Sequence, residues 1–151
     1  MSSKTLIGFI SVGIIAGLLL GIYLLDVKNS NQLVFVNGTS LSIVTEKFDF
    51  KKGEEIKIRL VNSGTTPLTF EDSSFGLKIS GLSGVLLYSP QIPLNDSKKH
   101  ALDPLQEVEF VWNQTKNDGN LLHEGVYKIH SSGFDQNKNK IEKSITITIW
   151  K

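Results

Sequence analysis

Glu54-Glu55-Ile56-Lys57-Ile58-Arg59-Leu60-Val61-Asn62 is the stretch whose reading decides the fold. Ile56, Ile58 and Leu60 alternate with Lys57 and Arg59, a period of two that gathers apolar side chains on one face of a half-buried strand. A turn, Lys51-Lys52-Gly53, precedes it, and Asn62-Ser63-Gly64-Thr65-Thr66-Pro67 turns the chain after it. The same period returns further along. Val108, Phe110 and Trp112 alternate with Glu107 and Glu109, Tyr127 is followed by Ile129, and Ile145, Ile147 and Ile149 alternate with Thr146 and Thr148. Leu68-Thr69-Phe70, Phe75–Ile79 and Val85–Tyr88 read as shorter strands. Upstream, Val34-Phe35-Val36 before Asn37-Gly38 reads as a strand and a hairpin-type turn, with Leu41, Ile43, Phe48 and Phe50 continuing beyond it.

Ser89–Asp103 and Asn113–Glu124 are the long irregular stretches, and Gly133–Lys140 is a hairpin loop. No segment after Asp26 sustains a 3.6-residue period. Roughly seven to nine short strands separated by Gly, Pro, Asn and Ser turns predict an all-β domain, an immunoglobulin-like antiparallel β-sandwich. Gly125-x-Tyr127-x-Ile129 has the spacing of a tyrosine corner, with Ile129 where immunoglobulin domains place their second cysteine. A lone core tyrosine on a strand fits the same spacing.

The chain before this domain has a different character. Leu6–Leu25 (LIGFISVGIIAGLLLGIYLL) carries no charge, and as a helix its roughly twenty residues would reach about 30 Å, the thickness of a bilayer core. The expected organisation is a short cytoplasmic tail (1–5), a transmembrane helix (6–25), a linker (26–31) and the sandwich (32–151). The run ends Tyr23-Leu24-Leu25-Asp26-Val27-Lys28, without a small-x-small cleavage site, which favours an uncleaved anchor over a processed signal or a pilin-like leader. Lys4 and the amino terminus on one flank and Asp26 on the other favour a cytoplasmic N-terminus and an extracytoplasmic domain. Gly13, Gly17 and Gly21 fall four apart, which suits a helix-packing face and equally the general abundance of Gly in membrane helices.

Composition excludes several classes of function. The net charge is +1 in 151 residues, with no basic block of the kind that binds nucleic acid. Cysteine is absent and Met1 is the one methionine, which leaves no disulfide framework, thiolate zinc site or blue-copper site. His100, His123 and His130 have no metal-ligand spacing, so no metal and no cofactor are expected. No nucleophile elbow or phosphate loop occurs. Glu54-Glu55, Glu71-Asp72 and Glu107/Glu109 read as solvated face charges rather than acid–base pairs. The chain reads as a non-enzyme.

Two surface features remain. Asn37-Gly38-Thr39, Asn95-Asp96-Ser97 and Asn113-Gln114-Thr115 fit the N-glycosylation acceptor pattern, each in a turn or loop. In Ser89–Asp103, Pro90 and Pro93 stiffen a stretch that offers Leu94, Lys98, Lys99 and His100. Pro93, Leu94, Lys98, Lys99 and His100 therefore form the candidate partner-binding loop, and an ordinary crossover between sheets has the same look.

Leu102-x-Pro104, Glu107–Trp112, Asn120-Leu121-Leu122 and Gly125-Val126-Tyr127 together resemble the intracellular proteinase inhibitor (BsuPI) domain family. Ile58-x-Leu60-x-Asn62, Pro67-Leu68-x-Phe70 and Gly84–Ser89 resemble its earlier strands, so the similarity reaches from about Phe48 to Ile149. Leu105 stands where that pattern has Gly, and Glu124 where it has Pro. The resemblance implies a sandwich that docks a protein partner, a protease or another cell-envelope protein. The expected function is thus a membrane-anchored binding module in the cell membrane. The alternative is a structural subunit or accessory of a surface filament or membrane complex, pilin-like or archaellum-associated.

Overall fold

The computed structural model describes Gly17 and residues 33–93 and 100–151. The rest of the predicted span, the linker, and Leu94, Asn95, Lys98 and Lys99 lie outside the described residues. Among the described residues no helix is long and apolar enough to cross a membrane. Asn31–Lys151 forms a unit of its own, and its described residues are all-β.

Ten strands are found among the described residues: β1 (Leu41–Thr45), β2 (Asp49–Lys51), β3 (Ile56–Asn62), β4 (Leu68–Phe70), β5 (Lys78–Gly81), β6 (Leu86–Tyr88), β7 (His100–Leu102), β8 (Glu107–Trp112), β9 (Gly125–Phe134) and β10 (Lys140–Trp150). They form two sheets. One is β1-β3-β8, and the other runs β2-β10-β9-β4-β7, with β5 also pairing β9 and β6 pairing β5. The inward side chains make one core, in which Ile56, Ile58 and Leu60 of β3, Ile129 of β9 and Ile147 and Ile149 of β10 are buried. Each such side chain contributes about 1.5–3 kcal/mol of burial. The period-two segments are strands for this reason: only alternation lets each sheet turn one face inward and one to water.

One pairing departs from the antiparallel expectation. β2 pairs β10 in parallel, with Phe50 opposite Ile149. The two strands come from opposite ends of the domain's sequence, so no hairpin constrains their relative direction. Two predicted strands are also corrected. Val34-Phe35-Val36 forms no ladder; the Val36 N–H donates to the Ser63 carbonyl at 2.9 Å, and the three side chains lie exposed. Asn37-Gly38 accordingly starts no hairpin, and β1 pairs β3 instead.

Phe75 belongs to a turn, not to the strand after it. Asp72 Oδ1 accepts hydrogen bonds from the backbone N–H of Ser74 at 2.8 Å and from its hydroxyl, an Asx-type closure that competes with extended backbone. Gly76 follows at φ +63, with the Ser132 carbonyl occupying the place a Cβ would take, so β5 begins only at Lys78. The stretch Ser89–Asp103 is less irregular than expected, since its last part is β7, paired with β4 through Phe70–His100, Thr69–Ala101 and Leu68–Leu102.

Candidate functional site

β3 organises the functional geometry because a buried amide side chain closes each of its ends. At its C-terminal end Asn62 is fully buried. Its Nδ2 donates to the carbonyls of Leu102 at 2.8 Å and Thr66 at 2.9 Å, and its Oδ1 accepts from the Gly64 N–H at 3.0 Å. The Asn62 backbone is equally engaged, accepting from the Leu105 N–H and donating to the Gln106 carbonyl. Asn62, Leu102 and Leu105 thus converge on one hydrogen-bonded hub.

That hub presents an apolar surface. Ser63 holds Val36 through its carbonyl and Asn62 holds Leu105 through its own, so Phe35–Asn37 and the Pro104–Leu105 turn flank one shallow hollow, while Leu33, Val34 and Val36 line a second. Val34, Phe35, Val36 and Leu105 are 64%, 53%, 42% and 68% exposed. Leu105 has φ +69, a conformation that costs a non-glycine residue on the order of 1 kcal/mol. Glycine would adopt this backbone without that cost.

At the other end of β3, Gln114 is buried, and it too has a positive φ, +55. Its Nε2 donates to the carbonyls of Lys51 at 2.8 Å and Glu54 at 2.9 Å, and its Oε1 accepts from the Gly53 N–H at 2.9 Å. The surface here is charged rather than apolar. Lys47 pairs with Glu54 at 2.6 Å and Lys52 with Glu124 at 3.0 Å. The Lys47 hydrogen bond, with help from the Lys51 N–H, lowers the Glu54 pKa below its ordinary value. Lys52 does the same for Glu124. Tyr127 lies close by, and its hydroxyl donates to the His123 carbonyl at 2.7 Å, four residues upstream, as a tyrosine corner does. Burial raises its pKa.

The candidate partner-binding residues are not brought together in the described part of the structure. Pro93 is exposed at the end of the stretch that contains Ile92, itself 45% exposed. His100 lies in β7, half-buried, its ring 5.4 Å from that of Phe75, so it belongs to a sheet edge and not to a loop. Ser89–Ile92 and Asn117 line an open hollow. The Ser89 N–H donates to Asn117 Oδ1 at 3.1 Å, and the Asn117 N–H donates to the Leu87 carbonyl at 2.9 Å. Sequence reasoning missed Asn117, a clamp between two loops.

Of the glycosylation candidates, Asn37 and Asn113 are exposed and Asn95 lies outside the described residues. Asn37 Oδ1 accepts from the Thr65 hydroxyl at 3.0 Å, and the Thr39 hydroxyl is bonded to that of Thr66 at 3.0 Å. Among the described residues no three His, Asp or Glu side chains gather as metal ligands would, and no buried side-chain polar atom lacks a partner.

Neither family models nor curated proteins give a match to the chain. Among solved structures it is similar to PorZ, an essential bacterial surface component of the type-IX secretion system of Porphyromonas gingivalis. The identity is 18% and the TM-score 0.39, over 73% of this chain and 12% of that one. It is also similar to Spo0M, a sporulation control protein from Bacillus subtilis, at 10% identity and TM-score 0.40, over 77% of this chain and 51% of that one. The chain therefore spans about an eighth and about half the length of these two structures.

Proposed function

We propose that the chain is a membrane-anchored, extracytoplasmic binding module. In this reading an immunoglobulin-like sandwich of BsuPI type docks a protein partner, a protease or a cell-envelope protein, and catalyses nothing itself. The observation that carries the reading is the Ser89–Pro93 stretch, which is fixed at its base through Asn117 while it presents Ile92 and Pro93 to solvent. A docking element needs that combination, because a segment already held in place loses little conformational entropy when a partner closes over it. The Tyr127 corner supports the BsuPI likeness, since Gly125-Val126-Tyr127 carries part of that resemblance, whereas Leu105 departs from its pattern.

The test uses the full-length chain in its native membrane, with a photo-crosslinker at the exposed Gln91. Capture of a protease whose activity the chain suppresses supports the reading. The suppression must be lost in Ile92→Asp or in the triple Lys98→Ala, Lys99→Ala, His100→Ala variant. Capture of filament or membrane-complex subunits, with no protease affected by any variant, retires inhibition and favours the structural-accessory reading.

A further inference from the structure

We propose that the apolar end of the domain, formed by Val34, Phe35, Val36 and the Pro104–Leu105 turn, rests in the interfacial region of a lipid bilayer. The inference depends on the proposed anchor at Leu6–Leu25 and adds to it a lipid-contacting surface on the domain. Four large apolar side chains are exposed together here, around a backbone fixed by Asn62 and Ser63. The two hollows at this end are lined by Leu33, Val34, Phe35, Val36 and Leu105 together with several Ser, Thr and Asn side chains, and Lys143 is the one charged lining residue; Asp103 and Glu107 are exposed on either side of the Pro104–Leu105 turn. The interfacial region of a bilayer accepts such a surface, apolar side chains fringed by polar and charged groups.

The occupant follows from chain length. Leu33 follows Leu25 by eight residues, which fully extended reach about 28 Å. If Leu6–Leu25 lies in the membrane, Val34–Val36, nine to eleven residues beyond Leu25, is held within about 40 Å of it at all times. A surface confined so closely meets lipid far more often than it meets a freely diffusing partner. The opposite end of β3 carries the Lys47–Glu54 and Lys52–Glu124 pairs, which suit water. Leu105 fits the same account, since an exposed leucine is kept in left-handed backbone where glycine would be relaxed.

The natural absence of cysteine makes the test direct. Full-length chain carrying Phe35→Cys or Leu105→Cys, with Glu55→Cys as control, is labelled with an environment-sensitive fluorophore. Each variant is reconstituted in phosphatidylcholine vesicles that contain doxyl-quencher lipid. Flotation after an alkaline carbonate wash reports integration of the anchor, and unchanged thermal melts report an intact fold. The expected result is flotation of every variant, with blue-shifted emission and several-fold stronger quenching at positions 35 and 105 than at 55. Flotation with equal, water-like emission at all three positions overturns the lipid contact and leaves the anchor standing. Cross-linking from position 105 to a second copy or to another protein, without quenching, also overturns it. Loss of flotation removes the anchor reading and this inference with it.

Discussion

Asn62 and Gln114 solve the same problem at opposite ends of β3, and their surroundings differ in a way that carries functional information. Each is a buried amide with three hydrogen bonds to backbone groups beyond the ends of β3. The Asn62 end turns Phe35 and Leu105 outward, and the Gln114 end turns out the Lys47–Glu54 and Lys52–Glu124 pairs. The core needs a closed backbone at both ends and is indifferent to what lies outside the closure. The difference between the two rims is therefore free to serve binding. A domain that floated freely in water would gain nothing from an apolar rim on one end only.

The largest effect expected from breaking this comparison is at Asn62. Asn62→Ala leaves the buried carbonyl of Leu102 without its donor, together with the bonds to Thr66 and Gly64. It should cost about 2–4 kcal/mol, read as a lowered urea midpoint at constant slope. Gln114→Ala removes as many bonds, but Lys51 is exposed and Glu54 only half-buried, so water can replace part of what is lost. About 1–2 kcal/mol is expected there. Equal losses at the two positions would mean that the Asn62 closure is no drier than the other.

The same pair shows how far the sequence could be read. Asn62 ends a segment whose alternation is plain, and the side chains of Ile56, Ile58 and Leu60 are buried as that alternation implies. The tyrosine corner was legible too, because its spacing is local and the Tyr127–His123 bond spans four residues. Gln114 was not legible. Its partners lie some sixty residues upstream, and nothing in Asn113-Gln114-Thr115 separates a clamp from a solvated loop. The expected strand at Val34–Val36 failed for a related reason. Three β-prone residues propose a strand, but a strand needs a partner edge, and β3 is already paired on both sides, by β1 and β8. His100 was placed in a loop because a three-residue strand such as β7 shows too few alternations to be recognised.

Leu105 gives the next prediction, smaller and of opposite sign. Leu105→Gly relieves left-handed strain at φ +69, and because the side chain is 68% exposed it removes little burial. The greater freedom of glycine in the unfolded chain offsets part of the gain, so the net stabilisation should be at most about 1 kcal/mol. It is read as a raised urea midpoint. If the rim serves lipid contact, the same variant should float with less protection of a Phe35 label from water. A variant that is more stable and less protected at position 35 would show that the strain is maintained for the contact. Destabilisation would show instead that Leu105 packs as part of the fold.

Acidification tests the charged and half-buried groups, with the smallest effect. Burial lowers the His130 pKa from its ordinary 6.5; Glu142 opposes the shift, while Lys128, Lys140 and Lys78 reinforce it. A histidine whose folded pKa is depressed contributes stability above its unfolded value and loses it as pH falls through the folded value. Glu54 and Glu124, lowered by their lysine partners, lose their contributions further down, below the ordinary 4.5. The melting temperature should therefore fall in two stages, gently from about pH 7 to 5 and then more steeply below about pH 4.5. His130→Gln should flatten the first stage and leave the second in place. Glu54→Gln combined with Glu124→Gln should do the reverse, lowering stability at neutral pH and blunting the steep stage. Because both carboxylates flank the Gln114 closure, a steep stage that survives this double change would place the acid-sensitive contacts elsewhere, with Asp118 and Asp135, both lowered chiefly by asparagine hydrogen bonds, the next groups to remove.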